Sequence, residues 1–217
     1  VDFETHTAVI RAFVERHFGR RALPVSSFGN VADLVLSDEL PESTRDAILG
    51  KAGFKDAVRA HRNLRGLAGE GASRRAFARL AVLACDALGR MPDPDMALNN
   101  WERYAEALPS RLAHFELLLT QPRRIEIVLG IFSGSQFLSD ALVRHPAFFD
   151  WVTDPATLGG TRRRESLDED LARFPGMHEG GEKGWLNALR LFRRREILRI
   201  GTRDMCLRAP LEEIVRD

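Results

Sequence analysis

Apolar residues recur at intervals of three and four along most of the chain, glycine and proline fall between the runs, and the two-residue alternation of a half-buried strand is hardly visible. Val9, Phe13 and Phe18, with Ile10 and Val14, predict a helix closing near Gly19, ahead of Pro24. Shorter helical runs follow over 31–36 and 41–49, the second stopped near Gly50 and Gly53. Phe54, Val58, His61, Leu64 and Leu67 make one stripe, ending at Gly69 and Gly71. Phe77, Leu80, Ala81, Ala84 and Leu88 make the next, and Met91-Pro-Asp-Pro94 then breaks the chain sharply. That break divides the chain into a helical part over 1–92 and another over 93–217.

Beyond it, Met96, Trp101, Tyr104, Ala105 and Leu108 predict a helix, and Pro109 and Pro122 stand where the next two begin. Ile125, Leu129 and Phe132 lead to Ser133-Gly134-Ser135, and Phe137, Leu138, Ala141 and Leu142 run on to His145-Pro146. Phe148, Phe149, Trp151 and Val152 form an aromatic plug for the core. Mobile loops are expected over 159–164 and 176–184, flanking a charged run over 165–173. The last long helix is expected from about 184 to 207, with Trp185, Ala188, Leu189, Phe192 and Ile200 docking and Arg190 and Arg194 on the opposite, available face. The expected fold class is all-α, a multi-helix bundle built as one body or as two packed helical subdomains, without significant sheet.

Composition narrows the function classes. Hydrophobic residues at 44% and charged residues at 29% of 217 suit a globular chain. With 32 Lys plus Arg against 31 Asp plus Glu, no long-range field selects for nucleic acid or an acidic membrane. The first nineteen residues carry charges throughout, so no secretory leader is read there, and no run is long and apolar enough to span a bilayer. The expected compartment is the cytoplasm. Cys85 and Cys206 lack the clustering of a metal or redox motif and read as buried thiols.

No local pattern completes a catalytic site. Gly50-Lys51-Ala52-Gly53 has too few converging amides for a phosphate loop and reads as a helix end. His6, His17, His61, His114, His145 and His178 show no ligand spacing and read as surface or capping residues. Asp168-Glu169-Asp170 would point three ways from a helix, so a solvated face is expected. Gly134-Ser135 with Asp140 has the start of a nucleotidyltransferase pattern but lacks its second carboxylate, and Ser135 reads as a helix N-cap. Arg190, Arg193, Arg194, Arg195, Arg199 and Arg203 are the strongest charge feature, and some of them must pair with acids from neighbouring elements.

Three blocks carry a resemblance: Leu98-Asn-Asn-Trp-Glu-Arg-Tyr104, the run from Phe132-Ser-Gly-Ser135 to Arg144-His-Pro146, and Leu189-Arg-Leu-Phe-Arg-Arg-Arg-Glu-Ile-Leu-Arg-Ile200 with Arg203-Asp204. They are similar to the helical region of bacterial glutamine synthetase adenylyltransferase, the bifunctional adenylylating and deadenylylating enzyme. The likeness is strong over 93–217 and weak before it. In that family each of two nucleotidyltransferase domains follows such a helical stretch and carries its carboxylates in a Ser-Asp-x-Asp segment. The resemblance implies a region of the first half that is inert alone. It also implies magnesium and ATP as cofactors of the full-length protein, with glutamine synthetase and a PII signalling protein as partners. No catalytic, cofactor-binding or metal residue is carried onto this sequence. The helices over 193–200 and 137–145 are expected to orient the nucleotidyltransferase domain. The alternative is a free-standing helical module whose exposed arginines bind an acidic protein partner.

Overall fold

In the computed structural model, which describes residues 30–37, 40–178 and 180–216, there are thirteen helices and no strand among the described residues. The helix expected before Gly19 lies outside them, as do His6 and His17. Short polar side chains set the starts. Asn30 opens α1 (Val31–Leu36), α2 (Glu42–Lys51) follows Pro41, and the Asp56 side chain accepts from Arg59 N to open α3 (Ala57–Ala68). α4 (Gly71–Leu88) is followed by the turn that leads to α5 (Pro94–Glu106), where Asp93 caps and Pro94 occupies the position whose N–H would bond to nothing. Ser110 caps α6 (Arg111–Thr120), and Pro122 precedes α7 (Arg123–Gly134). Ser135 then separates α7 from α8 (Gln136–Arg144), and the two axes meet at 120°. The chain continues through α9 (Phe148–Val152), α10 (Pro155–Leu158), α11 (Arg164–Ala172), the 27-residue α12 (Gly181–Leu207) and α13 (Leu211–Arg216).

One apolar core runs from Val31 to Leu198 and passes through the Met91–Pro94 turn without a gap. α5 lies at its centre, against α3, α7 and α8, while α4 packs on α1 and α6. Phe77, Trp101, Tyr104, Phe115 and Phe132 are fully buried there, each contributing roughly 1.5–3 kcal/mol of transfer free energy. α12 closes the body against α7 and α8. A second, small core lies under α11, where Phe174, Ala188 and Phe192 pack with Leu167, Leu171 and Met177.

The stripes differ from the sequence reading in their register. Ala60, Leu64, Leu67 and Ala68 face inward on α3, which turns Val58 to solvent at 64% exposure. On α8 the inward set is Leu138, Ser139, Ala141 and Leu142, leaving Phe137 61% exposed. Of the two glycine-rich segments, residue 164 begins α11 and residues 181–184 begin α12, while their other described residues lie in turns, bends and irregular backbone. Gly160 O accepts from Arg199 Nη1 at 3.2 Å, and Gly176, Gly180 and Gly181 take positive φ values that only glycine adopts freely.

Candidate functional site where the three blocks meet

Asn100, buried in α5, joins two of the three blocks. Helix α7 stops at Gly134, so its last carbonyls have no partner within the helix. Asn100 Nδ2 donates to one of them, Phe132 O, at 3.0 Å, and pairs amide to amide with Gln136 of α8 at 3.1 and 3.2 Å. Arg103, one turn further along α5, donates to Asn100 Oδ1 at 3.0 Å and to Asp140 Oδ1 at 2.9 Å. Asp140 also accepts from Gln136 Nε2, and these two side-chain hydrogen bonds hold its carboxyl below the usual range, the Gln136 bond contributing most. Ser135 accepts from Leu138 N at 3.3 Å and is the N-cap that its place before an apolar run predicts.

The third block reaches the same place because glycines let α12 approach. A Cβ on Gly130 would stand 2.7 Å from Cys206 Sγ, one on Gly134 3.0 Å from Met205 Sδ, and one on Gly201 2.5 Å from Leu138 Cδ1. Further along the same contact, Arg194 Nη1 donates to His145 Nε2 at 3.1 Å. His145 is held below its ordinary pKa, chiefly by burial and then by Arg194 and Arg144, which keeps that nitrogen an acceptor.

The inward side of α12 is charged, which the apolar pattern does not foretell. Glu196 accepts from Arg162 Nη1 and from Arg199 Nε, both at 2.9 Å, and lies 3.6 Å from Arg195 Nη2. Asp170 of α11 accepts from Arg162 and lies 3.9 Å from Arg195 Nη2. The Arg195 guanidinium stacks over Trp151 at 4.3 Å, Phe174 at 4.9 Å and Phe192 at 5.1 Å, and its pKa is lowered because burial outweighs Glu196 and Asp170. Arg199 is fully buried, and Arg203 bonds Glu213 of α13 at 2.6 Å. Of the acidic triplet expected to face solvent, Asp168 and Glu169 do so, pairing with Arg164 and Arg173 one turn away, whereas Asp170 turns inward. The pairing expected of the arginines is present; their burial is not what the sequence reading anticipated.

His114 departs from expectation too. It is buried, its Nε2 accepts from Trp101 Nε1 at 3.3 Å, and it packs on Tyr104 and Phe149. Burial pushes its pKa down to about 4, so the ring is a neutral core acceptor. His61 sits half-buried near Leu34 O, and exposed His178 near Ala172 O. Gly50–Gly53 is a helix end, with Gly53 at φ 86°. Cys85 is buried and Cys206 half-buried, and burial pushes both thiols up to about 12. Among the described residues no three His, Cys, Asp or Glu side chains converge, and no single helix is long and apolar enough to cross a membrane. Asn100, Arg103, Gln136 and Arg162 went unread as network residues. A buried asparagine three positions before an arginine on an apolar helix was the available signal for the first two.

Residues 125–217, which hold most of α7 and all of α8 and α12, match the family model described as glutamate-ammonia ligase adenylyltransferase. Over those residues, which make up less than half of the chain, it is similar to this family. Three relatives, each named bifunctional glutamine synthetase adenylyltransferase/adenylyl-removing enzyme, show how far the likeness extends. The protein of Leifsonia xyli subsp. xyli is 29% identical over 211 residues, covering 95% of this chain and 21% of its own. That of Thioalkalivibrio sulfidiphilus is 27% identical over 180 residues, covering 77% and 18%. That of Brucella suis is 31% identical over 109 residues, covering 50% and 11%. An alignment of 211 residues takes in most of the first ninety, where the sequence reading had found the resemblance weak. The chain therefore spans between 11% and 21% of the length of these adenylyltransferase relatives. No solved structure matches it significantly.

Proposed function

We propose that the chain is a non-catalytic helical region of a bifunctional glutamine synthetase adenylyltransferase, from the first half of that enzyme. In this reading α8 and residues 193–200 of α12 orient a nucleotidyltransferase domain. That domain binds ATP with magnesium and adds AMP to, or removes it from, glutamine synthetase under the control of a PII signalling protein. The observation that carries the reading is how the three blocks use their polar groups. Asn100, Arg103, Gln136 and Asp140 satisfy one another and a helix end, and Glu196 and Asp170 are bound to arginines. Carboxylates that hold a metal against a nucleotide must instead converge with open positions. The exposed aromatic ring of Phe137, at the start of α8, gives the docking helix an apolar contact.

The test mixes the 217-residue chain with a separately produced nucleotidyltransferase domain of the Leifsonia xyli relative and follows both by sedimentation. The expected result is an equimolar complex at micromolar concentration, weakened by Phe137→Asp. If the two sediment independently, the scaffold reading fails and a free-standing helical module takes its place.

A further inference from the structure

Helix α12 carries arginines on two opposite sides. At about 100° per residue, Arg195, Arg199 and Arg203 share an arc with the buried Ala188, Phe192 and Leu198. These arginines meet Glu196, Asp170 and Glu213 there. Arg190, Arg193 and Arg194 fall within roughly 100° of arc on the other side. Arg190 and Arg193 are exposed, and Arg190 bonds only as far as the Asn187 amide, at 3.1 Å. The hydrogen bond from Arg194 to His145 fixes this face beside the end of α8, where Arg144 is exposed. Among the described residues no carboxylate oxygen lies within ion-pair distance of Arg144, Arg190, Arg193 or Arg194. Asp140, whose carboxyl feels Arg144, is already bound to Arg103 and Gln136.

Four like charges brought together without counter-ions repel one another, which works against the folded state. The carbonyl end of α8 offsets this for Arg144 alone. The patch is also bounded. On the same side of α12, Asp204 stands nearly three turns after Arg194, about 15 Å along the axis, and at the other end Glu182 and Lys183 stand side by side about two turns before Arg190, so that their charges cancel. A phosphodiester strand following the helix would run onto Asp204 at one end and past a neutral pair at the other, and the chain's net charge of +1 gives it no wider field. A short run of carboxylates fits between these ends, and the guanidinium fork binds a carboxylate through two parallel hydrogen bonds.

We propose that Arg144, Arg190, Arg193 and Arg194 form a docking surface for a carboxylate-rich segment of a protein partner. Arg144, Arg193 and Arg194 stand on the same segments of α8 and α12 that the scaffold reading assigns to the nucleotidyltransferase domain, so an acidic segment and that domain would compete for them; the test below uses the chain without that domain and so reads the surface separately.

The probe is a fluorescein-labelled octaglutamate peptide, followed by anisotropy at about 20 mM salt, where exposed charges are weakly screened. The unsubstituted chain should bind it saturably. Arg190→Glu with Arg193→Glu should weaken binding by about tenfold or more, and so should Arg144→Glu. Arg75→Glu with Arg79→Glu makes the same charge change on exposed residues of α4 and should leave binding within about twofold. Circular dichroism establishes that each variant is folded, and if the double variant on α12 is not, Arg144→Glu decides. No saturable binding by the unsubstituted chain would overturn the proposal, as would an equal loss in the α4 variant. So would tighter binding of a single-stranded oligothymidylate that the same α12 and α8 substitutions abolish, which would make this a nucleic-acid surface.

Discussion

Glutamine in place of Glu196 removes the charge at the centre of the inward cluster and keeps its shape. Glu196 accepts from Arg162 and from Arg199, which is fully buried, while Arg195 lies 3.6 Å away. Gly160 O still accepts from Arg199, and Asp170 still accepts from Arg162. The substitution nevertheless turns an –NH2 group towards guanidinium donors in a site shielded from water. Breaking a buried ion pair on one side costs about 3–5 kcal/mol, and the acceptors that survive place this case near the lower end, about 3 kcal/mol. For a chain of this size that is a fall in Tm of roughly 6–12 °C. The assay is thermal unfolding followed by circular dichroism, with urea unfolding for the free energy. Asp86→Ala is the reference, because the Arg90–Asp86 pair is more than half exposed and is worth at most about 0.5 kcal/mol. If Glu196→Gln costs no more than Asp86→Ala, the inward charges do not hold α11 and α12 together, and that reasoning is wrong.

Three further outcomes follow from the same geometry. Gly201→Val drives a branched side chain into Leu138 and should lower the urea midpoint by an amount corresponding to about 1–3 kcal/mol; an unchanged midpoint means that α12 does not need this glycine to reach α8. Ser135→Ala removes the cap of α8 and should cost about 1 kcal/mol in the same assay, and stability within error of the parent would show that the hydroxyl caps nothing. His114 has its pKa depressed in the folded chain, so its contribution is complete above about pH 6.5 and is lost as the pH falls towards 4, by about 3 kcal/mol in all. His114→Gln keeps an acceptor for Trp101 and should flatten the stability profile over that window relative to the parent; superimposable profiles would contradict the assignment.

The helices were legible because their signals are local. Ser135 before Leu138, Asp93 before Pro94 and the glycines after Leu67 and Leu88 state starts and stops within a few residues of sequence. What sits inside α12 was not legible, because its burial depends on partners far along the chain. Arg199 is covered by Gly160, 39 residues earlier, and Arg162 reaches Glu196 across 34. A hydrophobic pattern assigns such arginines to the surface. Glu196 three positions before Arg199 was the one nearby hint that a charge was already matched. The isolated glycines at 130, 134 and 201 carried a second hint, since a glycine inside a helical run costs stability unless a neighbour comes close. His114 misled for a related reason: its partner is the indole of Trp101 on another helix, and periodicity does not distinguish a core acceptor from a surface ring.

The central claim is that these residues organise nucleotide transfer without performing it. The direct measurement incubates the purified 217-residue chain with glutamine synthetase, magnesium and ATP labelled in the α-phosphate, and follows label on the synthetase. In parallel, release of AMP from adenylylated synthetase is followed in the presence of phosphate. The account predicts label and release equal to those without the chain, in both directions. Turnover above that level, retained when the polypeptide is purified to homogeneity, would contradict it.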